Sequence, residues 1–308
     1  MLHNAIMFDM AVAGSTNAVL HLLSYGYELG IELTLEDFER YAKDIPCINA
    51  VVPSGPYTVV DFHYAGGVMN VMKMLESKLY TDAPGMYGTP WSDMLAKVAP
   101  QENKVIHSLE RPLFHEPGLK ILRGNLSPNG AIVRPTAVYE EVKYMRGKAK
   151  VFEGDRAAFD AIQAGEIVPG DIIVIRYEGC KGAPGMKELM LSIDALIGLG
   201  LHKSVGLISD ARFSGFNYGA IIGHVSPEAY DGGNIALVQD GDEIVIDIPG
   251  GEVSMLVPDE ELARRREKWV CPPLKEEKGC LNIYAKMCRP AEEGGAMQPW
   301  DLGARFKR

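Results

Sequence analysis

A chain of 308 residues with a formal net charge of −10 can bury a large core, and its acidic balance argues against a nucleic-acid footprint. At 47% hydrophobic and 23% charged residues the composition is that of an ordinary soluble globular protein, long enough for two domains. No apolar run approaches the roughly 20 residues that cross a bilayer, and the N-terminus lacks the basic region of a signal peptide. The expectation is a cytoplasmic protein with neither nucleic-acid nor membrane partners.

Residues 1–13 read as an apolar strand that enters the loop Gly14-Ser15-Thr16-Asn17. A helix follows, with Leu20, Leu22, Leu23, Tyr27 and Leu29 as its apolar face and Gly30 as its stop. Ser, Thr and Asn are good N-caps because their side-chain oxygens accept the free N–H groups of a first turn. The same N–H groups and hydroxyls suit an anionic ligand, although local sequence favours the cap. Thr34-Leu35-Glu36-Asp37 opens a second helix with a capping-box pattern that ends before Pro46. Residues 47–60 are strand or loop, punctuated by Pro53, Gly55 and Pro56. Gly66-Gly67 leads a helix through Met69, Val71, Met72 and Leu75, in which the methionines read as core filler. Residues 80–117 are dotted with Pro and Gly around a short helix at 91–98, and read as the connection between two domains.

From Leu119 the period changes. Short β-branched runs near 121–126, 131–134, 149–152, 171–176, 205–209, 235–238, 243–248 and 253–257 are bounded by turn residues such as Asn129-Gly130 and Asp240-Gly241. Helices near 155–164 and 187–199 interrupt them. So many strands with so few helices predict a β-rich barrel or sandwich. From Asp259 the chain is helical and charged, then Pro-rich at 271–273, then helical again at 281–287. The expected boundaries are 1–105, a linker at 106–118, a barrel-like domain at 119–258 and a helical tail at 259–308. The five cysteines are an odd number without a CxxC pair, and the spacings of nine and eight among Cys271, Cys280 and Cys288 match no zinc or iron–sulfur pattern. Reduced thiols are expected.

The chemistry-bearing residues gather between 173 and 223. Two apolar strands each run into a loop, and such loops share one crevice at the carboxyl ends of their strands. That places Glu188 and Ser214 together, 26 positions apart. Ser214 precedes a glycine after a buried strand, as a nucleophile does, but Arg212 stands where a Gly-x-Ser-x-Gly elbow has its first glycine. It could instead act as a base whose alkoxide a metal or cation stabilises, or be a plain turn serine. His224 lies ten residues on, and spacing does not tie it to Ser214. Glu188 follows a Gly/Pro-rich turn at an expected helix start, where a carboxylate suits either a hard metal ion or the helix dipole.

Six stretches in order resemble the dihydroxy-acid and sugar-acid dehydratase family: 13–21 (AGSTNAVLH), 53–57 (PSGPY), 122–130 (LRGNLSPNG), 176–188 (RYEGCKGAPGMKE), 210–215 (DARFSG) and 223–229 (GHVSPEA). The resemblance implies the end of an α/β N-terminal domain followed by a β-rich, swivelling-domain-like barrel. It implies dehydration of a 2,3-dihydroxy acid to a 2-keto acid, with Ser214 taking the C2 proton and Glu188 ligating a Mg²⁺ ion. Ser15, Thr16 and Asn17 would position substrate, and Arg212 would bind its carboxylate. A 2Fe–2S or 4Fe–4S cluster would take the C3 hydroxyl. In that family the cluster cysteines and most Mg²⁺ ligands precede the GSTN loop, which begins here at residue 14. The chain is therefore expected to be a truncated or split form holding no cluster of its own, inactive alone, and to work as a homodimer or with a chain supplying the N-terminal half. Cys180 stands where the family usually has proline, and Ala13 and Ala183 replace glycines. Arg176-Tyr177-Glu178-Gly179 leans toward branched-chain acids, and Arg134-Pro135-Thr136-Ala137 toward sugar acids. An inactive module that binds an acid or a partner chain is the alternative of another class.

Overall fold

A computed structural model of the chain describes residues 1–215 and 217–298. The last part of the expected tail, 299–308, lies outside them. The N-terminal part is helical. Helix α1 (Leu2–Val12) replaces the strand expected there. It buries Ile6, Met7, Met10 and Ala11 together with Asn4 and Asp9. A helix covered on several sides shows no amphipathic period, so its sequence cannot be told from a buried strand. Ala13, at φ 49°, closes α1 in the left-handed region. Helix α2 (Thr16–Glu28) starts at once, capped by the Ser15 side chain, which accepts from the Asn17 N–H. Helix α3 (Leu35–Ala42) carries the anticipated capping box between Thr34 and Asp37. Helices α4 (Val59–Tyr64), α5 (Gly67–Met74) and α6 (Trp91–Leu95) follow. β-pairing in this part is limited, among the described residues, to isolated bridges, including Cys47 to Phe114 and Asn49 to Ile106. These helices share one core around Phe38, Ile45, Ile48 and Leu75, which reaches Ile121 and Ile132 of the sheet.

The sheet comprises β1 (Lys120–Leu122), β2 (Gly130–Val133), β3 (Tyr144–Glu153), β4 (Ile172–Arg176), β6 (Gly206–Ser209), β8 (Ile221–Ser226), β9 (Glu243–Asp247) and β10 (Glu252–Met255). Two further strands, β5 (Glu188–Leu189) and β7 (Arg212–Phe213), stand apart as a small pair. The eight run in the order β1-β2-β8-β6-β4-β3-β9-β10. β3, β4, β6 and β8 are parallel neighbours, while the flanking pairs are antiparallel. Parallel neighbours need a crossover, supplied by α7 (Asp155–Gln163) between β3 and β4 and by α8 (Leu191–Gly198) between β4 and β6. The two edges nearly close on each other. The Arg123 N–H donates to Gly251 O and the Val253 N–H to Arg123 O, each at 2.9 Å.

Side-chain alternation divides the sheet's two faces. Ile172, Val174, Ile208, Ile222, Ile244 and Ile246 fill the inside of the near-barrel, whereas Ile173, Ile175, Leu207 and Ile221 pack outward on α7 and α8. With both faces covered, β4 and β6 read as continuous apolar runs. Residues 235–238, expected as a strand, form a 3-10 turn (Asn234–Leu237) whose Ile235, Ala236 and Leu237 plug the core. The tail forms α9 (Asp259–Lys268) and α10 (Gly279–Met287). No helix among the described residues is long and apolar enough to cross a membrane.

Candidate functional site

β4 and β6 are parallel neighbours, so the loops that leave them emerge side by side. Two buried carboxylates hold the loop that follows β4. Asp210, directly after β6, accepts from the backbone N–H groups of Tyr177 at 3.1 Å, Glu178 at 3.0 Å and Ala229 at 2.9 Å. Glu228, directly beyond β8, accepts from Lys181 at 3.0 Å and Gly182 at 2.8 Å. Burial pushes the Asp210 carboxyl up to about 6 and the amides it accepts from pull it back. Burial likewise raises Glu228 to about 8, with Asp210 adding to the rise.

The loop so held returns as β5, which pairs in parallel with β7: Glu188 opposite Arg212 and Leu189 opposite Phe213. Glu188 therefore lies in a strand, and α8 starts only at Leu191, so it is not the first-turn acid of a helix. Ser214 follows β7 directly, with its carbonyl accepting from Asn217 Nδ2 at 2.7 Å. The N-terminal loop completes the group. Asn17 Nδ2 donates to Glu188 Oε1 at 2.5 Å and to Phe213 O at 3.4 Å. A β-carbon built on Gly215 would stand 3.7 Å from Ser15 Oγ. The three expected segments, GSTN, the Glu188 loop and the Ser214 loop, do meet.

The other expected residues fall into distinct places. Thr16 is buried, with an Oγ1 that has no partner among the described residues. Arg212 donates from Nε to Met186 O at 2.5 Å and from Nη2 to Gly185 O at 3.4 Å, and its Nη1 stands 3.2 Å from His21 Nε2. It thus ties down the glycine-rich loop ahead of Glu188. His224 is buried at φ 54°, and burial with Arg212 and His21 nearby lowers its ring to about 3, so it is neutral at neutral pH. Ala13, Tyr177, Met186 and His224 all adopt positive φ. Such conformations cost free energy in non-glycine residues and cluster where geometry is over-determined. Ala13 directly precedes the GSTN loop, while the Tyr177 N–H donates to Asp210, Met186 O accepts from Arg212 and the His224 N–H donates to Ala211 O.

Sequence reasoning missed the role of Arg134. It follows β2, is almost fully buried, and donates from Nη1 to Gly215 O and from Nη2 to Gly14 O, the latter at 2.6 Å. A single arginine between a strand and a proline has no periodicity that marks it. Beside it opens a cavity of about 370 Å³ lined by Gly14, Ser15 and Gly215 on one side and by Phe8, Val12, Val51, Val52, Phe62 and Val68 on the other.

As for inorganic groups, the Glu188 carboxylate is a hard oxygen donor that suits a share of a Mg²⁺ coordination shell, and Asn17 Nδ2, which donates to its Oε1, orients it. An iron–sulfur cluster does not fit the described residues. All five cysteines are free, and no group of three or more His, Cys, Asp or Glu side chains converges there. Cys180 and Cys288 lie in an apolar cluster with Leu20, Met186 and Ala291, and burial raises both thiols well above their usual range. A cluster ligand has to be a thiolate.

Loops that meet at the carboxyl ends of parallel strands are a common setting for small-molecule sites. Two family models match. The dihydroxy-acid/6-phosphogluconate dehydratase N-terminal model covers residues 1–94 and the C-terminal model of the same family covers 104–295. Dihydroxy-acid dehydratase of Clostridium novyi (strain NT) is 44% identical over 298 residues, 96% of this chain and 54% of that protein. The dihydroxy-acid dehydratase of Ignicoccus hospitalis is 46% identical over 299 residues, and that of Pyrobaculum neutrophilum 43% over 303. The chain belongs to the dihydroxy-acid/6-phosphogluconate dehydratase family. It spans about half the length of the curated relatives it matches.

Proposed function

We propose that this chain carries the proton-abstracting part of a hydro-lyase site, dehydrating a 2,3-dihydroxy acid to a 2-keto acid. The observation that carries the reading is the meeting of Asn17, Glu188 and the Ser214 loop at the ends of parallel strands. Ser214, ionised to its alkoxide, takes the C2 proton onto Oγ and becomes the neutral alcohol, and the electron pair left behind becomes the C2–C3 double bond of an enol as the C3 hydroxyl departs as hydroxide. The enol tautomerises to the keto acid. Glu188, oriented by Asn17, would hold Mg²⁺, which when bound supplies Lewis acidity at the substrate and stabilises negative charge on Ser214. Ser15, Thr16, Asn17 and Arg212 serve to position substrate, Arg212 through the loop it ties. Hydroxyl departure is assigned to no residue of this chain.

The apolar wall of the cavity beside Ser15 and Gly215 supports a branched alkyl acid over a polyhydroxylated sugar acid. The proposed division follows the sequence boundaries, with a swivelling-type barrel at 119–258. An association role has its own support. Val59, Val60, Tyr64 and Val68 on α4 and α5 are exposed, at 72, 62, 82 and 50%, a face that a second copy or a chain bearing the family's N-terminal half would cover. The proposed setting is the cytoplasm.

The test is 2-keto acid formation from a branched 2,3-dihydroxy acid, gluconate and arabinonate. The purified chain is assayed alone and mixed anaerobically with the N-terminal segment of the Clostridium novyi relative. Turnover of the branched acid only in the mixture is expected. Preference for gluconate would overturn the substrate reading, and robust turnover by the chain alone would overturn the need for a second segment.

A further inference from the structure

We infer that Arg134 is a positioning residue, which sets the Ser214 loop against the GSTN loop by holding one backbone carbonyl of each. The inference rests on Ser214 as the base. Gly215 O and Gly14 O belong to the residues directly beside Ser214 and Ser15, and one planar guanidinium spans both. A fork of fixed geometry fixes the separation of the two carbonyls as well as their presence.

The short segment that carries Arg134 grips the surrounding loops at further points. Thr136 Oγ1 and Ser54 Oγ share a buried hydrogen bond of 2.8 Å, which ties in the 53–56 loop. The Gly219 N–H donates to Ala137 O at 3.0 Å. The stretch that follows Ser214 is thus held at two points, Gly215 through Arg134 and Gly219 through Ala137. Both grips come from residues 134–137, a turn that follows β2, which is itself paired with β1 and β8.

Burial pushes the Arg134 guanidinium down to about 10, still protonated at neutral pH, and Asp9 opposes that fall when it is ionised. Asp9 lies tight against the GSTN loop, since a β-carbon on Gly14 would come within 1.8 Å of Asp9 Oδ1. Only glycine allows that approach. A buried cation whose donors go to two loop carbonyls costs desolvation that simple packing would avoid. Here it fixes relative position, to which a proton transfer is sensitive: a misplacement of about 1 Å can cost about 10²-fold in rate.

Arg134→Met and Arg134→Lys test this by two readouts. In the 308-residue chain, hydrogen exchange of the 214–219 amides should quicken by about tenfold or more in Arg134→Met, while β9 and β10 keep their protection. In the enzyme completed with the relative's N-terminal segment, kcat should fall about 10²-fold with KM within about threefold. Arg134→Lys, which keeps the charge but loses the fork, should fall between, and it alone decides if Arg134→Met does not fold. Unchanged exchange at 214–219 would overturn the proposal, as would a kcat loss matched by equal loss of protection in β9 and β10. Ser214→Ala run alongside keeps the two claims apart: wild-type turnover there would sink the base assignment, and the exchange result would still judge Arg134.

Discussion

At the scale of single residues, the most consequential contact is Asn17 Nδ2 to Glu188 Oε1, because it joins segments 171 positions apart. Outer partners that orient a metal-binding carboxylate typically contribute 10–100-fold in affinity. Asn17→Ala is expected to weaken Mn²⁺ binding to the completed enzyme by about that factor, read by paramagnetic titration. An unchanged affinity would show that Asn17 does not orient a metal-binding Glu188. Sequence alone brought Glu188 and Ser214 into one crevice, since strand–loop–helix–strand order fixes which loops are neighbours. It gave Glu188 the wrong local setting, because two residues of strand pairing at Glu188–Leu189 leave no periodic trace. It also could not distinguish an Arg212 facing substrate from one whose N–H groups go to Gly185 O and Met186 O. Partners of a long side chain are a tertiary fact.

At the scale of elements, the join between α1 and the GSTN loop depends on a close backbone approach. A β-carbon on Gly118 would lie 2.3 Å from Ala13 Cα and 2.4 Å from Met10 O. Both are backbone atoms, so neither can swing aside. Gly118→Ala should lower stability by about 1–3 kcal/mol in urea denaturation, with the GSTN loop displaced; an unchanged midpoint would show that the approach is loose. Helices with a local start signal were legible: the Ser15 cap, the Thr34–Asp37 box and the acidic first turn of α9 at Asp259, Glu260 and Glu261. α1 lacked one, having no side-chain cap and buried polar residues among its apolar ones. The 3-10 turn at 234–237 was misread for a related reason, because three buried apolar residues in a row suit a strand or a core plug equally.

At the scale of the whole molecule, buried acids tie stability to pH. Asp9 is raised to about 7, Asp210 to about 6 and Glu228 to about 8, in each case chiefly by burial. A raised folded value means that the folded chain holds its proton more tightly than the unfolded one. Their contribution is therefore fully present below the unfolded carboxylate values near 4 and is lost as pH rises through about 6 to 8. Tm should fall between about pH 5 and 9, and Glu228→Gln, which cannot ionise, should flatten the upper part of that fall. An identical slope in the variant would contradict the assignment. The barrel itself was legible as a count of short strands, but its order was not. Parallel neighbours at the centre, and the near-closure of Arg123 on Gly251 and Val253, follow from crossovers that local sequence does not encode.

The account stands or falls on Ser214 as the proton acceptor for a 2,3-dihydroxy acid. The direct measurement is the turnover of the branched acid by the completed enzyme, wild type against Ser214→Ala, with folding checked by thermal melting. A general base typically contributes about 10²–10⁴-fold, so kcat should fall by at least about 10²-fold with Tm unchanged. A Ser214→Ala enzyme within about threefold of wild type would contradict the account.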